Sequence, residues 1–319
     1  MLSTVRTVSG AGERFEEATM DQDALEEALN AFMFKHKGVY FESHSTTPEA
    51  VDAVEHMEIR DSDVFLITYP KSGTIWTQQI LSLIFNKGHR NGTEHVENVA
   101  RAPWIEYNTY NIDFKSRPSP RLFSSHLPYY LMPRDLQFRK PKIIYVCRNP
   151  KDVMVSFYHF CKMNPHLKCT ISWETFFNLF ISGKVIGGSW FDHISGWYKH
   201  KEDFNILFLT YEEMKKDLRS AVLKICTFVN IKLNEKDIDT VVEKATFKNM
   251  KDDPLANYTF IPSDFLDQTK GDFLRKGIVG DWKNMMTVAQ NEMFDKVYKE
   301  KIGDLPIKVL WDLKEEDAS

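Results

Sequence analysis

Lys71, Ser72, Gly73 and Thr74 stand together in the string Thr68-Tyr69-Pro70-Lys71-Ser72-Gly73-Thr74-Ile75-Trp76. Residues of these types in a short loop can hold a phosphate. The N–H groups of the loop and of a following helix start aim at the anion, and the lysine adds charge. The Walker order puts the lysine after a glycine, whereas Lys71 precedes Gly73. The string therefore predicts a phosphate cradle of a different lineage from the ATP-binding P-loops.

The flanking residues are the ones such a cradle needs. Asp63-Val64-Phe65-Leu66-Ile67 is apolar and β-branched and reads as a buried strand, and Thr77 to Phe85 carries apolar residues at helical spacing. Lys142-Ile143-Ile144-Tyr145-Val146-Cys147 reads as a second strand, broken at Arg148-Asn149-Pro150 and followed by a helical run from Lys151 to Cys161. Arg148 at the strand end and Ser156 on the helix could both reach a phosphate at the carboxyl edge of a sheet. Asn205 to Leu209 reads as a third strand, followed by one helix from Glu212 to Val229. Alternating strands and helices predict an α/β fold, a single domain with a central parallel sheet flanked by helices. Asp21 to Phe34 has the spacing of a short amphipathic helix. Residues 1–20 read as a disordered tail, and the polar stretch Lys251 to Asp272, interrupted by Pro254 and Pro262, as a long ordered or gating loop.

Bulk properties narrow the function classes. At 319 residues the chain allows one large α/β domain or two smaller ones, and 43% hydrophobic against 27% charged residues suffices for a sizeable core. A net charge of −4 argues against an extended nucleic-acid footprint while leaving room for a local basic site. Cys147, Cys161, Cys169 and Cys226 are dispersed and lack metal spacing, so reduced buried thiols and no bound metal are expected. No secretory leader is visible in Met1 to Met20, and no run reaches the ~18 apolar residues of a membrane span. A cytoplasmic protein without membrane or nucleic-acid partners is the expectation, leaving the sequons at Asn91 and Asn257 unused.

The string T-Y-P-K-S-G-T-x-W resembles the phosphosulfate-binding loop of the cytosolic sulfotransferases. Arg275-Lys276-Gly277-Ile278-Val279-Gly280-Asp281-Trp282-Lys283 resembles that family's R-K-G-x-x-G-D-W-K signature, and Lys283 to Glu292 fits its K-x-x-x-T-V-x-x-x-E dimerisation motif. The resemblance spans about residue 36 to residue 313. It implies a P-loop-like sulfotransferase fold over 36–313, a disordered or weakly structured extension over 1–35 and a tail over 314–319. It also implies 3′-phosphoadenosine 5′-phosphosulfate (PAPS) as co-substrate, without a metal, and a homodimer through Lys283–Glu292.

Residue roles follow from the same resemblance. Lys71 would stabilise charge on the bridging oxygen as the donor bond breaks, with Ser72, Gly73 and Thr74 around the 5′-phosphate and Trp76 stacked on adenine. Arg148, Ser156, Arg275, Lys276 and Gly277 match the 3′-phosphate ligands, where an arginine fork can bind two oxygens. Tyr211, Thr246, Phe247 and Met250 match the adenosine pocket, and Trp104 and Phe160 the aromatic lining of the acceptor site. His126, in Ser125-His126-Leu127-Pro128, resembles the general base. Many relatives carry a lysine where this chain has Ser124. The wording Phe-Ser-Ser-His-Leu-Pro-Tyr-Tyr, with R-N-P-K-D and Trp190-Phe191-Asp192-His193, is closest to the amine sulfotransferase branch.

The implied activity is sulfuryl transfer to an amine or hydroxyl of a small hydrophobic acceptor, whether amine, phenol, alcohol or steroid. One alternative is a catalytically weak or silent relative that binds nucleotide or hydrophobic ligand, which Ser124 favours. Another is an ATP-dependent kinase, which would need a Walker lysine and a magnesium carboxylate that the sequence does not clearly offer.

Overall fold

The computed structural model describes residues 22–89, 95–167 and 171–313. The two tails expected at 1–20 and 314–319, the start of the first helix at Asp21, the Asn91 sequon and Cys169 lie outside the described residues. In chain order the elements begin with α1 (Gln22–Phe32), β1 (Met33–His36), β2 (Val39–Glu42), α2 (Pro48–Val54), β3 (Val64–Thr68), α3 (Thr74–Phe85) and α4 (Asn98–Arg101). They continue through β4 (Leu122–Ser125), α5 (Leu136–Arg139), β5 (Lys142–Cys147), α6 (Pro150–Met163), α7 (Trp173–Ile181) and α8 (Trp190–Lys199). The last are β6 (Asn205–Thr210), α9 (Tyr211–Lys216), α10 (Leu218–Val229), α11 (Glu235–Lys244), α12 (Phe247–Lys251) and α13 (Val288–Ile302).

Four strands form a parallel sheet in the order β4-β3-β5-β6. All five residues of β3 are buried, as both faces of a central parallel strand are covered. Alternate side chains feed two cores. Phe65 and Ile67 of β3, with Ile143 and Tyr145 of β5, pack on the side of α6, α7, α8 and α13. Val64 and Leu66, with Ile144 and Val146, pack on the side of α3, α10 and α11. Under the first core, Arg121 is fully buried against Asp63 (2.5 Å), which ties the start of β3 to the start of β4.

Three elements differ from the sequence reading. The first helix stops at Phe32 and the chain turns into the antiparallel hairpin β1–β2, with Phe32 and Met33 buried in the larger core. The helix expected from Glu212 to Val229 is divided at Asp217, which ends α9 and accepts the Ser220 N–H at 3.0 Å to cap α10. Strand β4 has no counterpart in the sequence reading, because Ser124 and Ser125 break its apolar pattern although both are buried.

Candidate active site

The parallel strands deliver one site residue each at or just beyond their carboxyl ends: His126 after β4, Lys71 after β3, Arg148 after β5 and Tyr211 after β6. This edge is the usual ligand crevice of an open α/β sheet. A cavity of about 550 Å³ opens there. It is lined by Lys71, Gly73, Thr74, Trp76, Trp104, His126, Arg148, Ser156, Phe160, Tyr211, Phe247, Met250, Arg275, Lys276 and Gly277. These residues are scattered over some two hundred positions of sequence, and folding brings them to one space.

The loop geometry suits an anion. Lys71 has φ +66° and Gly73 φ +102°, so the loop curls tightly before α3 starts, and the first turn of that helix leaves its N–H groups without intrahelical acceptors. A Cβ on Gly73 would sit 2.9 Å from the Tyr211 ring. Ser72 does not line the cavity. It is fully buried, its N–H donates to the Tyr69 carbonyl at 3.2 Å, and its Oγ has no hydrogen-bond partner. Arg148 donates to the carbonyls of Lys71 (3.2 Å) and Ile278 (3.1 Å), lies 4.2 Å from the Tyr211 ring centre and leaves its buried Nε unpartnered. The orphaned Nε of Arg148, on a residue that lines the cavity, fits a phosphate-bearing ligand. Burial, then the Arg148 charge, lowers the Lys71 ammonium to about 7. Its Nζ lies over the rings of Phe273 (4.0 Å) and Phe160 (4.5 Å).

The cationic string after Leu274 is anchored from two directions. Asp152 of α6 accepts the N–H groups of Gly280 (2.8 Å) and Trp282 (3.0 Å). Arg275 and Lys276 pair with Asp281 at 2.6 and 2.7 Å. Burial alone would raise the Asp281 carboxyl, but hydrogen bonds from Lys276, Asn284 and Arg275 outweigh it and hold it at about 2. Gly277 has φ +62°, and a Cβ there would overlap the Phe247 ring at 2.2 Å. Thr246 stands outside the cavity and caps α12, accepting the Asn249 N–H at 3.3 Å. Trp76 donates its indole N–H to the Ala245 carbonyl at 2.7 Å and meets Tyr211 edge-on, 5.2 Å between ring centres.

On the other side of Lys71 the lining is aromatic. Trp104 tilts against His126 with 4.4 Å between ring centres, and Phe157, Phe160, Tyr258, Phe265 and Phe273 complete the wall. Tyr258, Phe260 and Phe265 come from the stretch expected to be a long ordered or gating loop, whose contribution to the lining the sequence did not reveal. Tyr158, next to Phe157, instead packs into the core on Trp173 and Phe176.

His126 is held by groups on three sides. Its Nδ1 lies 2.7 Å from the Thr68 carbonyl and 3.1 Å from Thr68 Oγ1, which in turn bonds Thr74 Oγ1 at 2.6 Å. A carbonyl only accepts, so Nδ1 carries the proton and Nε2 keeps its lone pair. Burial, opposed by the Thr68 bond, lowers this imidazole to about 3. The backbone N–H of His126 donates to Glu106 at 2.5 Å, and its backbone carbonyl accepts from His193 Nε2 at 3.1 Å. His193 Nδ1 then accepts from the Tyr145 hydroxyl at 2.9 Å, and burial lowers that ring to about 4.

Glu106 and the supporting role of His193 were not recognised in the sequence, since a lone acid in a loop carries no motif. Ser124 is enclosed away from the cavity, donating to the Ala102 carbonyl (3.0 Å) and accepting from Gln78 (2.9 Å), and Gln78 also accepts from the Tyr258 hydroxyl (3.1 Å).

Among the described residues no group of three or more His, Cys, Asp or Glu could hold a metal, and no helix is long and apolar enough to cross a membrane. The sulfotransferase domain family matches residues 61–306. The amine sulfotransferase of Oryctolagus cuniculus is 53% identical over 290 residues, 90% of this chain and 96% of its own length. Human sulfotransferase 2A1 is 42% identical over 271 residues, 85% of this chain and 95% of its own. The crystal structure of mouse sulfotransferase SULT7A1 complexed with PAP superposes with a TM-score of 0.72 at 33% identity, covering 86% of this chain and 96% of that one. Retinol dehydratase in a complex with retinol and PAP gives 0.78 at 25% identity, over 90% and 96%.

Proposed function

This chain belongs to the sulfotransferase family, and from that premise we propose that it moves a sulfuryl group from PAPS to the amine or hydroxyl of a small hydrophobic acceptor, with His126 as general base. The observation that carries this reading is the free Nε2 of His126 in the same cavity as Lys71 and the cationic loop. Bound there, PAPS supplies the sulfuryl group and a phosphate leaving group.

The chain's own residues divide the remaining work. The loop Lys71 to Thr74 holds and aligns the 5′ end, and Lys71 in its protonated form stabilises negative charge on the departing oxygen. Arg148, Ser156, Arg275 and Lys276 would take the 3′-phosphate, with Gly277 allowing close approach over Phe247. Trp76, Tyr211, Phe247 and Met250 frame adenine, while Thr246 acts by fixing the start of α12. Trp104, Phe160 and their aromatic neighbours exclude water and orient the acceptor. Nε2 of His126 takes the acceptor's proton while Thr68 keeps the ring in the required tautomer.

An amine acceptor is favoured over a steroid by the higher identity to the relative named for amines. A cytoplasmic setting, a domain over 36–313 and a homodimer through the 283–292 segment belong to the same proposal. The test is transfer from labelled PAPS to a panel of amines, phenols and steroids by wild type and His126→Ala. The expected result is transfer by wild type only, with PAP binding kept in the variant. Transfer undiminished in His126→Ala would reject the base assignment, and no transfer to any acceptor would reject the activity.

A further inference from the structure

The charges around the cavity are segregated. Five basic side chains, Lys71, Arg148, Lys215, Arg275 and Lys276, line it, and among the described residues Glu42 is the one acidic side chain that does so. Glu42 ends β2. Its Oε1 accepts from Asn164 Nδ2 at 2.7 Å, and its Oε2 accepts from Ser45 Oγ at 2.7 Å. Each oxygen thus has one partner and a further lone pair to offer a ligand. No cationic side chain is paired with it among the described residues, which separates it from a structural ion pair such as Asp63–Arg121.

Its place in the cavity relative to Lys71 follows the course of α6. Ser156 and Phe160 of that helix line the cavity, and Asn164, which holds Glu42, caps its C-terminal end. Asn164 lies four residues, or ~6 Å of helix rise, beyond Phe160 at 1.5 Å per residue, and Phe160 is one of the two rings that Lys71 faces, with Phe273. Apolar side chains, among them Phe157, Ile186, Phe265 and Leu266, line the same cavity. A carboxylate set in such a wall disfavours neutral or anionic groups and suits an ammonium, which the surrounding rings also attract.

We infer that Glu42 is an acceptor-selecting subsite for a second, protonated nitrogen, so that the preferred acceptors are amines carrying a cationic group about one aromatic ring away from the attacking nitrogen. The inference rests on the sulfuryl-transfer reading and specifies its substrate class. It also fits the chemistry, because the attacking nitrogen must be neutral near His126 while the remote one keeps its charge against Glu42.

Binding is the readout, measured by calorimetry with PAP present at pH 7.5. The probes are 4-(aminomethyl)aniline, whose aryl nitrogen is neutral and whose benzylic nitrogen is charged, and 4-ethylaniline, its neutral analogue of similar shape. Wild type is expected to bind the cationic probe about tenfold tighter, and Glu42→Gln to bring the ratio of dissociation constants close to one. A wild-type ratio at or below one overturns the inference without need of a variant, as does an unchanged ratio in a folded Glu42→Gln. Sulfate transfer to 4-ethylaniline, followed on the same wild-type preparation with PAPS in place of PAP, reports on the sulfuryl-transfer reading independently of that ratio.

Discussion

The Thr68 carbonyl lies 2.7 Å from His126 Nδ1, at the point where β3 gives way to the loop Tyr69 to Gly73. The strand that presents Lys71 thus also fixes the tautomer of the histidine delivered by its neighbour β4. His126 and the Lys71 loop are registered to each other through one peptide group.

The pH profile should carry the mark of this arrangement. His126 is held at about 3, chiefly by burial, so it stays unprotonated throughout the neutral range. At saturating PAPS, kcat/KM for a phenol should therefore keep no His126 limb above about pH 5. For an alkylamine the rate should rise with pH, because only the neutral amine attacks. Parallel profiles for the two acceptors would contradict this, provided that chemistry limits the rate.

Lys71 makes a proton-linked prediction. In the free protein burial and Arg148 hold it at about 7, so near pH 7.5 much of it is neutral. Phosphate beside it favours the charged form and raises that value, so PAP binding should take up protons, up to about one per site. Affinity should weaken as pH rises from 6 to 8.5. Calorimetry in two buffers of different ionisation enthalpy measures the uptake, and Lys71→Met should abolish it.

Gly277→Ala should weaken PAP binding by at least about tenfold and lower stability by about 1–3 kcal/mol. The cause is the 2.2 Å overlap with Phe247 together with φ +62°. Phe247→Leu in the same chain should recover part of the stability and little of the affinity, as read by thermal melting and fluorescence titration.

Glu106 contributes to stability with an unusual sign. Burial raises its carboxyl to about 7, against the opposing bond from the His126 N–H. The folded state then holds the proton more tightly than the unfolded chain, so the contribution is full below the unfolded value and lost as pH rises through 7. The melting temperature of wild type relative to Glu106→Gln should therefore be higher at pH 5 than at pH 8. A pH-independent difference would rule this out.

The 283–292 segment presents Val288, 76% exposed, at the start of α13, and Glu292 is exposed one turn further on. If this face joins two copies, Val288→Glu should convert a dimer to a monomer in sedimentation while leaving the melting temperature within about 2 °C. A dimer that survives the substitution would place the interface elsewhere.

What could be read in the sequence follows from how local each signal is. β3, β5 and β6 are continuous apolar runs ending in chemistry-bearing residues, so their type and the positions of Lys71, Arg148 and Tyr211 were legible. β4 is four residues long, and half of it is serine whose hydroxyls find partners only in the folded chain, as Ser124 does with Gln78 and Ala102. Glu106 and Glu42 likewise have their surroundings from segments remote in sequence, His126 in one case and Asn164 in the other. The division at Asp217 was available in principle, because an aspartate three residues before a serine amide is an ordinary helix start. The long apolar run that follows it obscured the break.

Asp281 gives the cationic loop an occupant that never leaves. With Arg275 and Lys276 both paired to the chain's own Asp281 carboxylate, a monovalent anion such as chloride competes with an equal charge that is covalently tethered nearby. A ligand bearing two or more negative charges, held at a second point along the cavity, can win that exchange. Without such a ligand the carboxylate offsets one of the two positive charges of Arg275 and Lys276.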